Sequence, residues 1–401
     1  MNAPPPIEVA DAEWLVGSEA RAALGELRHH ANEATTASVA KLRKVFTAKQ
    51  THLLLEQAEL RRRGEQKFTL AERMFFTRVG LQQATDQWVA GYKAKRFVGA
   101  AADLCCGIGG DLISLAACGG AVGADRDPAT AVLARANAEA AGVAAEVVVQ
   151  DAAPGIVREA AAWHADPDRR STGRRTTRVE SYSPDLGTLD RLQAECPNAA
   201  IKLAPAAAPP EHWATDRELE WISRRGECRQ LVAWSGSLAG TPGSRRATVL
   251  VGDEASTFVG SGRVEVDDAV NIADRVGHVI CEPDAAVLAS GLDGELAAAL
   301  GLTRLTAAAA YYTADAPPAS PLVRSFRVID ELPLRAKTLA KYLQERRVGT
   351  LEIKHRGVEI DPDRLRRELR LRGDNAATLI ATTLTTSHRK KPVAFLAERL
   401  S

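Results

Sequence analysis

The period of hydrophobic and polar positions changes near residue 97. Over residues 1–96 apolar side chains recur at three- and four-residue spacing, and no alternating pattern appears, so this stretch reads as helical. "TLAERMFF" (69–76) opens with Thr69 and places Glu72 three residues later, which predicts a capping box, with Leu70, Met74 and Phe75 on the helix stripe. From Val98 to about Val251 short apolar runs end in acidic or proline-containing turns and alternate with helical stretches. Strands are predicted at Val98–Leu104, Gly120–Ala124, Ala145–Val149, Ala161–Ala165 and Ala199–Leu203. Helices are predicted between them at Gly110–Cys118, Pro128–Ala141 and Leu186–Cys196. Strand, helix, strand in this rhythm means an α/β fold with a parallel, doubly wound, Rossmann-like sheet. A hairpin (Glu220–Ser223, Gln230–Ser235) and a further strand (Ala247–Val251) give that sheet an antiparallel finish.

Residues 266–320 are alanine-rich and read as a helical connector ending in a linker, "ADAPPASP" (314–321). After it, Leu339, Tyr342 and Leu343 form a helical stripe, and Leu351 and Ile353 alternate with Glu352 and Lys354 as in a half-buried strand. Asp361-Pro362 starts a second helix, and "AATLIATTLT" and "KPVAFLAE" supply two more strands. The expected organisation is therefore a helical region over 1–96, a sheet domain over 97–265, a connector over 266–320 and a small α+β domain over 321–401.

Composition adds limits. Aromatic residues are 5% of the chain, so the cores must be built mainly from Ala, Leu and Val. No apolar run reaches the length of a bilayer span, and "MNAPPPIEVADAEW" lacks the pattern of a secretory signal, so a cytoplasmic protein without membrane partners is expected. The six cysteines have no C-x-x-C pair and no metal-ligand spacing with the histidines, so no metal is expected. The net charge of +1 conceals a partition. Residues 40–96 carry 13 basic against 5 acidic side chains, a net of +8, and residues 321–398 carry 17 against 10, a net of +7. Two basic flanks around an acidic centre suit a polyanionic partner, although such runs also occur as ordinary solvated faces.

The candidate chemistry lies at "DLCCGIGGD" (103–111), between the first strand and the next helix, where open parallel sheets bind ligands. It lacks the Lys-Ser/Thr ending of a phosphate loop and the spacing of a dinucleotide fingerprint. Asp111 beside the glycines would repel a pyrophosphate, whereas a ligand carrying both a carboxylate and an ammonium suits Asp103 and the exposed N–H groups. The second strand ends in Asp125, placed to accept from ribose hydroxyls, and the third in Asp151, placed for an adenine amino group. The adjacent Cys105 and Cys106 read as small, soft residues lining the turn.

"DLCCGIGGD", "VGADRDP", "VVVQDA" and "ADPDRR" together resemble the successive motifs of class I S-adenosylmethionine-dependent methyltransferases. The C-terminal "LPLRAKTLAKYL" and "VGTLEIKHRGVEIDPDRLRRELRLRGDNAATLI" are similar to the family in which that core precedes a THUMP-like domain. The resemblance implies S-adenosyl-L-methionine as cofactor, held by Asp103, Cys105, Gly107, Gly109, Asp125 and Asp151. Cys105 stands where the first glycine of the family motif is common. The resemblance also places the methyl-acceptor loop after the fourth strand, at 165–186. There Asp166 is the candidate catalytic residue, and Pro167, Arg169 and Arg170 are candidate substrate contacts. Amino-group methyltransferases often carry D/N-P-P-Y/F at this place; here Asp168 and Arg169 replace the second proline and the aromatic. C5-pyrimidine chemistry needs a cysteine nucleophile, and Cys196 falls before the fifth strand, on the wrong side. Gln83-Ala84-Thr85 reads as an ordinary helix segment or as an element packed beneath the cofactor.

The resulting expectation is direct in-line methyl transfer to nitrogen or oxygen of an RNA (tRNA or rRNA) gripped by the basic flanks. The alternatives are a methyltransferase of a small molecule or protein, and a noncatalytic cofactor-binding RNA adaptor.

Overall fold

The computed structural model describes residues 7–28, 36–153, 155–169, 176–262, 270–307, 309–386 and 389–400. The chain divides into two compact units, one of 1–219 with 230–243 and the other of 220–229 with 244–401. No described helix is long and apolar enough to cross a membrane.

In the first unit the strands β1 (Ala101–Leu104), β2 (Ala121–Asp125), β3 (Ala145–Val149), β4 (Ala162–Ala165), β5 (Ala199–Leu203) and β7 (Glu227–Trp234) lie in the order β3-β2-β1-β4-β5-β7. The first five are parallel and β7 runs antiparallel to β5. The order reverses between β1 and β4, so the carboxyl ends of β1 to β4 open on one crevice, the ligand position of a doubly wound sheet. Local chemistry explains the helices that connect these strands. In the helix Pro128–Ala141, Asp127 accepts the Thr130 N–H at 3.2 Å, Pro128 occupies the first turn, and Gly142 closes the end in the left-handed conformation.

The helical expectation for 1–96 holds over Val9–Val16, Ser18–Arg28, Thr36–Leu42, Ala48–Gly64, Arg78–Gln83 and Gln87–Ala94. Thr47 and Gln50 form a capping box at the fourth of these. Leu15, Leu24, Leu54 and Phe75 pack on Ala129, Leu133 and Ala136, so the N-terminal helices cover the helix Pro128–Ala141. The capping box expected at Thr69 and Glu72 does not form. Thr69 bonds instead to Gln87, only Ala71–Arg73 makes a turn of 3-10 helix, and Phe75 and Phe76 are held extended by amide side chains. Phe75 N–H donates to Asn137 Oδ1 at 2.6 Å, and Asn137 Nδ2 donates to the carbonyls of Phe75 (2.9 Å) and Ile108 (2.8 Å). Gln57 pairs likewise with the backbone of Phe76.

In the second unit β6 (Glu218–Arg224), β8 (Arg245–Val251) and β9 (Glu254–Gly260) follow one another in a sheet. A seven-stranded sheet orders β11 (Thr303–Thr306), β12 (Ala309–Ala314), β10 (Val279–Pro283), β13 (Val323–Pro333), β16 (Arg389–Arg399), β15 (Asn375–Thr386) and β14 (Val348–His355). The connector expected over 266–320 is thereby corrected. Besides the short helices Ala285–Ser290 and Asp293–Ala299 it holds the strands β10, β11 and β12, with β10 paired with β13 and β12 paired with both β10 and β11, and "ADAPPASP" lies inside one unit. On one face of the sheet, helices Ala336–Glu345 and Pro362–Leu369 bury Leu339, Leu343, Leu365 and Leu369 against Leu351, Leu379 and Leu396. The other face packs Ile280, Tyr311, Phe326 and Phe395 together. The sheet curls strongly. Glu282 on β10 and Lys354 on β14 would stand about 19 Å apart across four flat strand spacings, yet their charged groups meet at 2.7 Å.

Candidate active site

A cavity of about 920 Å³ opens at the carboxyl ends of β1 to β4. Asp103, Cys105, Gly107, Asp125, Asp151, Asp166, Pro167 and Arg169 line it together. Of the other expected site residues, Arg170 lies outside the described residues. Gly109 does not reach the cavity; with φ of +88° it turns the loop against Ala134, a place where glycine suits both the conformation and the close approach.

Asp125, at the end of β2, pins the glycine turn. Its Oδ2 accepts the Gly107 N–H at 2.9 Å and its Oδ1 accepts the Asp127 N–H at 3.0 Å. Burial pushes this carboxyl above its usual range, against those two hydrogen bonds. A Cβ on Gly107 would meet nothing within 4 Å, so the turn presents bare backbone to open space. Cys105 adopts φ of +57°, the left-handed conformation for which the more common glycine is suited. Burial raises its thiol strongly, with Asp125, Asp166, Asp103 and Asp151 adding to the effect, so it is no ready nucleophile. Cys196 is buried with its sulfur toward the carbonyls of Ala160 and Asn198 and does not line the cavity.

Behind the turn lies a buried chain of polar groups that local sequence patterns did not reveal. His164 Nδ1 lies 2.7 Å from Asp103 Oδ1, and Lys93 Nζ lies 2.9 Å from His164 Nε2. Lys93 also pairs with Asp111 Oδ1 at 2.7 Å, and the Thr85 hydroxyl donates to Asp111 Oδ2 at 2.7 Å. Burial alone would raise Asp111; the neighbouring ammonium groups, Lys93 first and then Lys202, bring it well below the carboxylate range. Asp111 is thus tied up by Lys93, and the repulsion expected from it is largely cancelled. Asp103 Oδ2 is buried and has no partner, and burial pushes the Asp103 carboxyl upward. The signal for Lys93 and His164 was a charged or imidazole side chain inside an otherwise apolar segment, "WVAGYKA" and "AAWHA".

Asp166 pairs with Lys202, which projects from β5 and reaches the Gln83 carbonyl at 3.4 Å. Gln83 Nε2 in turn lies 3.4 Å from Asp168 Oδ1. Gln83, Ala84 and Thr85 all line the cavity, and the Gly110 Cα packs so close to Thr85 that a Cβ there would approach its carbonyl to 3.0 Å. The segment ends the helix Arg78–Gln83 and packs against the glycine turn. The N-terminal helices form another wall through Asp11, Lys49, His52 and Glu56, a contribution the sequence pattern gave no sign of.

A family model described as THUMP domain-like matches residues 323–399. A Mycobacterium tuberculosis protein named as an S-adenosylmethionine-dependent methyltransferase, found in strains CDC 1551 and H37Rv, is 36% identical over 342 residues, covering 82% of this chain and 92% of its own length. A crystal structure assigned as a methyltransferase from Porphyromonas gingivalis W83 superposes with a TM-score of 0.78 at 21% identity, covering 96% of this chain and 98% of that one.

Proposed function

The chain belongs to the S-adenosylmethionine-dependent methyltransferases, with a THUMP-like domain at its C-terminal end, and from that premise we propose that it methylates nitrogen or oxygen of an RNA, tRNA or rRNA, in the cytoplasm. The observation that carries this reading is the single cavity joining Asp103, Asp125, Asp151 and Asp166 from the ends of successive strands.

The residues present fit the cofactor. Asp103 Oδ2, buried and without a partner, complements the α-ammonium of S-adenosylmethionine. The Asp125 oxygens keep acceptor capacity for ribose hydroxyls beyond the two N–H groups they already bind. Asp151, exposed at the cavity rim, suits the adenine amino group. Bare backbone at Gly107 allows close approach of the methionine portion. When bound, the cofactor supplies an electrophilic methyl group on sulfur; the protein's work is positioning. Asp166 orients the acceptor, Lys202 and Gln83 hold the Asp166–Asp168 edge, and Pro167 and Arg169 flank the incoming substrate. Transfer would break the sulfur–methyl bond, with S-adenosylhomocysteine as the leaving group, and Asp166 on the cavity wall would take the proton that the acceptor gives up. Raised, buried thiols argue for this direct route over attack by cysteine.

RNA is favoured by the THUMP-like match and by the charge of the second unit. On and around helices Ala336–Glu345 and Pro362–Leu369, Arg335, Lys337, Lys341, Arg370 and Arg372 are exposed with no ion-pair partner among the described residues. Other basic side chains there have acidic partners: Arg364 pairs with Glu368, Arg366 with Asp363, Lys354 with Glu282 and Glu352, and Arg356 with Glu282. The test is incubation with methyl-labelled cofactor and total cellular RNA, followed by identification of the modified nucleoside. Label in a protein or small-molecule fraction, with none in RNA, would replace RNA by that acceptor. RNA binding without any transfer would point to an adaptor.

A further inference from the structure

We propose that His164 and Lys93 are positioning residues for the cofactor, which fix the Asp103 carboxylate so that its Oδ2 is presented to the α-ammonium of S-adenosylmethionine. The inference rests on the reading of Asp103 given above. Asp103 on β1 and His164 on β4 are direct neighbours in register, which brings the ring beside the carboxylate. Lys93 as an ammonium can only donate, so His164 Nε2, 2.9 Å away, is the acceptor. The ring proton therefore resides on Nδ1 and is donated to Asp103 Oδ1 at 2.7 Å. His164 is neutral in this arrangement.

Two consequences converge on one oxygen. The buried group holds two carboxylates, Asp103 and Asp111, against the single ammonium of Lys93, which is paired with Asp111. One negative charge is left uncompensated, on the carboxylate whose second oxygen has no hydrogen bond. Asp103 and His164 are each 1% exposed and Lys93 is 2% exposed, so these groups are held together in a largely desolvated wall of the cavity. A cationic donor at the cavity closes both the charge and the hydrogen-bond deficit. Lys93 cannot supply it, being held on the far side of the imidazole.

The ammonium can be separated from the sulfonium by choice of ligand. S-adenosylhomocysteine keeps the ammonium without the sulfonium, and 5′-methylthioadenosine lacks both. Calorimetry of the full chain with these two ligands tests the proposal. His164→Leu and Lys93→Met should weaken S-adenosylhomocysteine binding about ten- to a hundredfold, the effect of a lost charge-assisted hydrogen bond, and leave 5′-methylthioadenosine within about twofold. His164→Asn, whose amide can donate from the Nδ1 position, should recover most of the loss. His164→Gln, whose amide falls at the Nε2 position, should not; this polar pair decides the matter if the apolar variants do not fold. Equal losses for both ligands, or none for either, would overturn the positioning role. Asp103→Asn separates the two levels: if it too leaves the ligand ratio unchanged, the reading of Asp103 fails, and if it alone shifts the ratio, only the roles of His164 and Lys93 fail.

Discussion

Replacing Asp125 with alanine removes a carboxylate that serves the glycine turn and the ligand at once. In the free protein it accepts from Gly107 at 2.9 Å and from Asp127 at 3.0 Å, so the glycine turn and the start of helix Pro128–Ala141 both lose an acceptor. Hydrogen bonds to a charged group are worth about 1.5–3 kcal/mol each; because this site is half open to water, about 2 kcal/mol in total is expected as lost stability, read by thermal unfolding. The ribose contacts add a separate loss of about 1–3 kcal/mol in cofactor binding, or roughly five- to 150-fold in Kd. Because the ribose is common to both ligands, S-adenosylhomocysteine and 5′-methylthioadenosine should weaken together. Asp125→Asn should not restore binding, since its amide cannot accept from both N–H groups and turns a donor toward one of them. Calorimetry giving wild-type affinity for both ligands in Asp125→Ala would refute the assignment of the ribose to Asp125. A loss confined to S-adenosylhomocysteine would mean that Asp125 reads the methionine end instead.

Lys202→Met should leave cofactor affinity within about twofold yet lower the rate of transfer roughly a hundredfold, as misplacement of a reacting group does; Asp166→Ala should do the same, and equal loss of folding and cofactor binding would reduce the pair to a structural turn. Affinity for S-adenosylhomocysteine should decline on acidification from above the ordinary carboxylate range, because burial raises Asp103 and Asp125 in the free protein. Both groups bind ligand donors as carboxylates, so their contribution is complete above the raised free-state pKa values and is lost as pH falls through them; a calorimetric profile flat down to the usual range would contradict this. RNA affinity, measured by filter binding, should fall with salt at a log–log slope near roughly −0.7 per neutralised phosphate, and Arg370→Gln combined with Arg372→Gln should make that slope shallower, whereas an unchanged slope would remove these side chains from the interface.

How far the fold was legible depended on how local its causes are. β3, β5 and helix Pro128–Ala141 match their predicted bounds because an Asp-Pro start, a glycine stop and short valine- or alanine-rich runs act within a few residues. β9 was not legible because Glu254–Gly260 has no buried residue and no clean alternation of apolar and polar side chains; its state is set by pairing with β8. β12 was obscured by its alanines, which carry little preference of face; neighbouring strands decide its state. The same contrast holds at the site. The acids ending β1 to β4 were readable because parallel topology collects strand ends on one edge. Lys93, His164 and Lys202 were not, since each is explained only by a carboxylate distant in sequence.

The amides of Gln57 and Asn137 treat Phe75 and Phe76 as a neighbouring strand would, offering one donor and one acceptor to each backbone. Asn137 also holds the Ile108 carbonyl of the glycine turn, so one side chain belongs to both the N-terminal region and the cofactor loop. The sheet is consequently not a portable cassette. Cutting the chain ahead of β1 would strip Asn137 of two of its three bonds and deprive the glycine turn of its backing, although every residue of that turn would remain. A minimal cofactor-binding fragment of this protein has to begin upstream of the helices that cover Pro128–Ala141, and grafting the site onto another sheet would require carrying those helices with it.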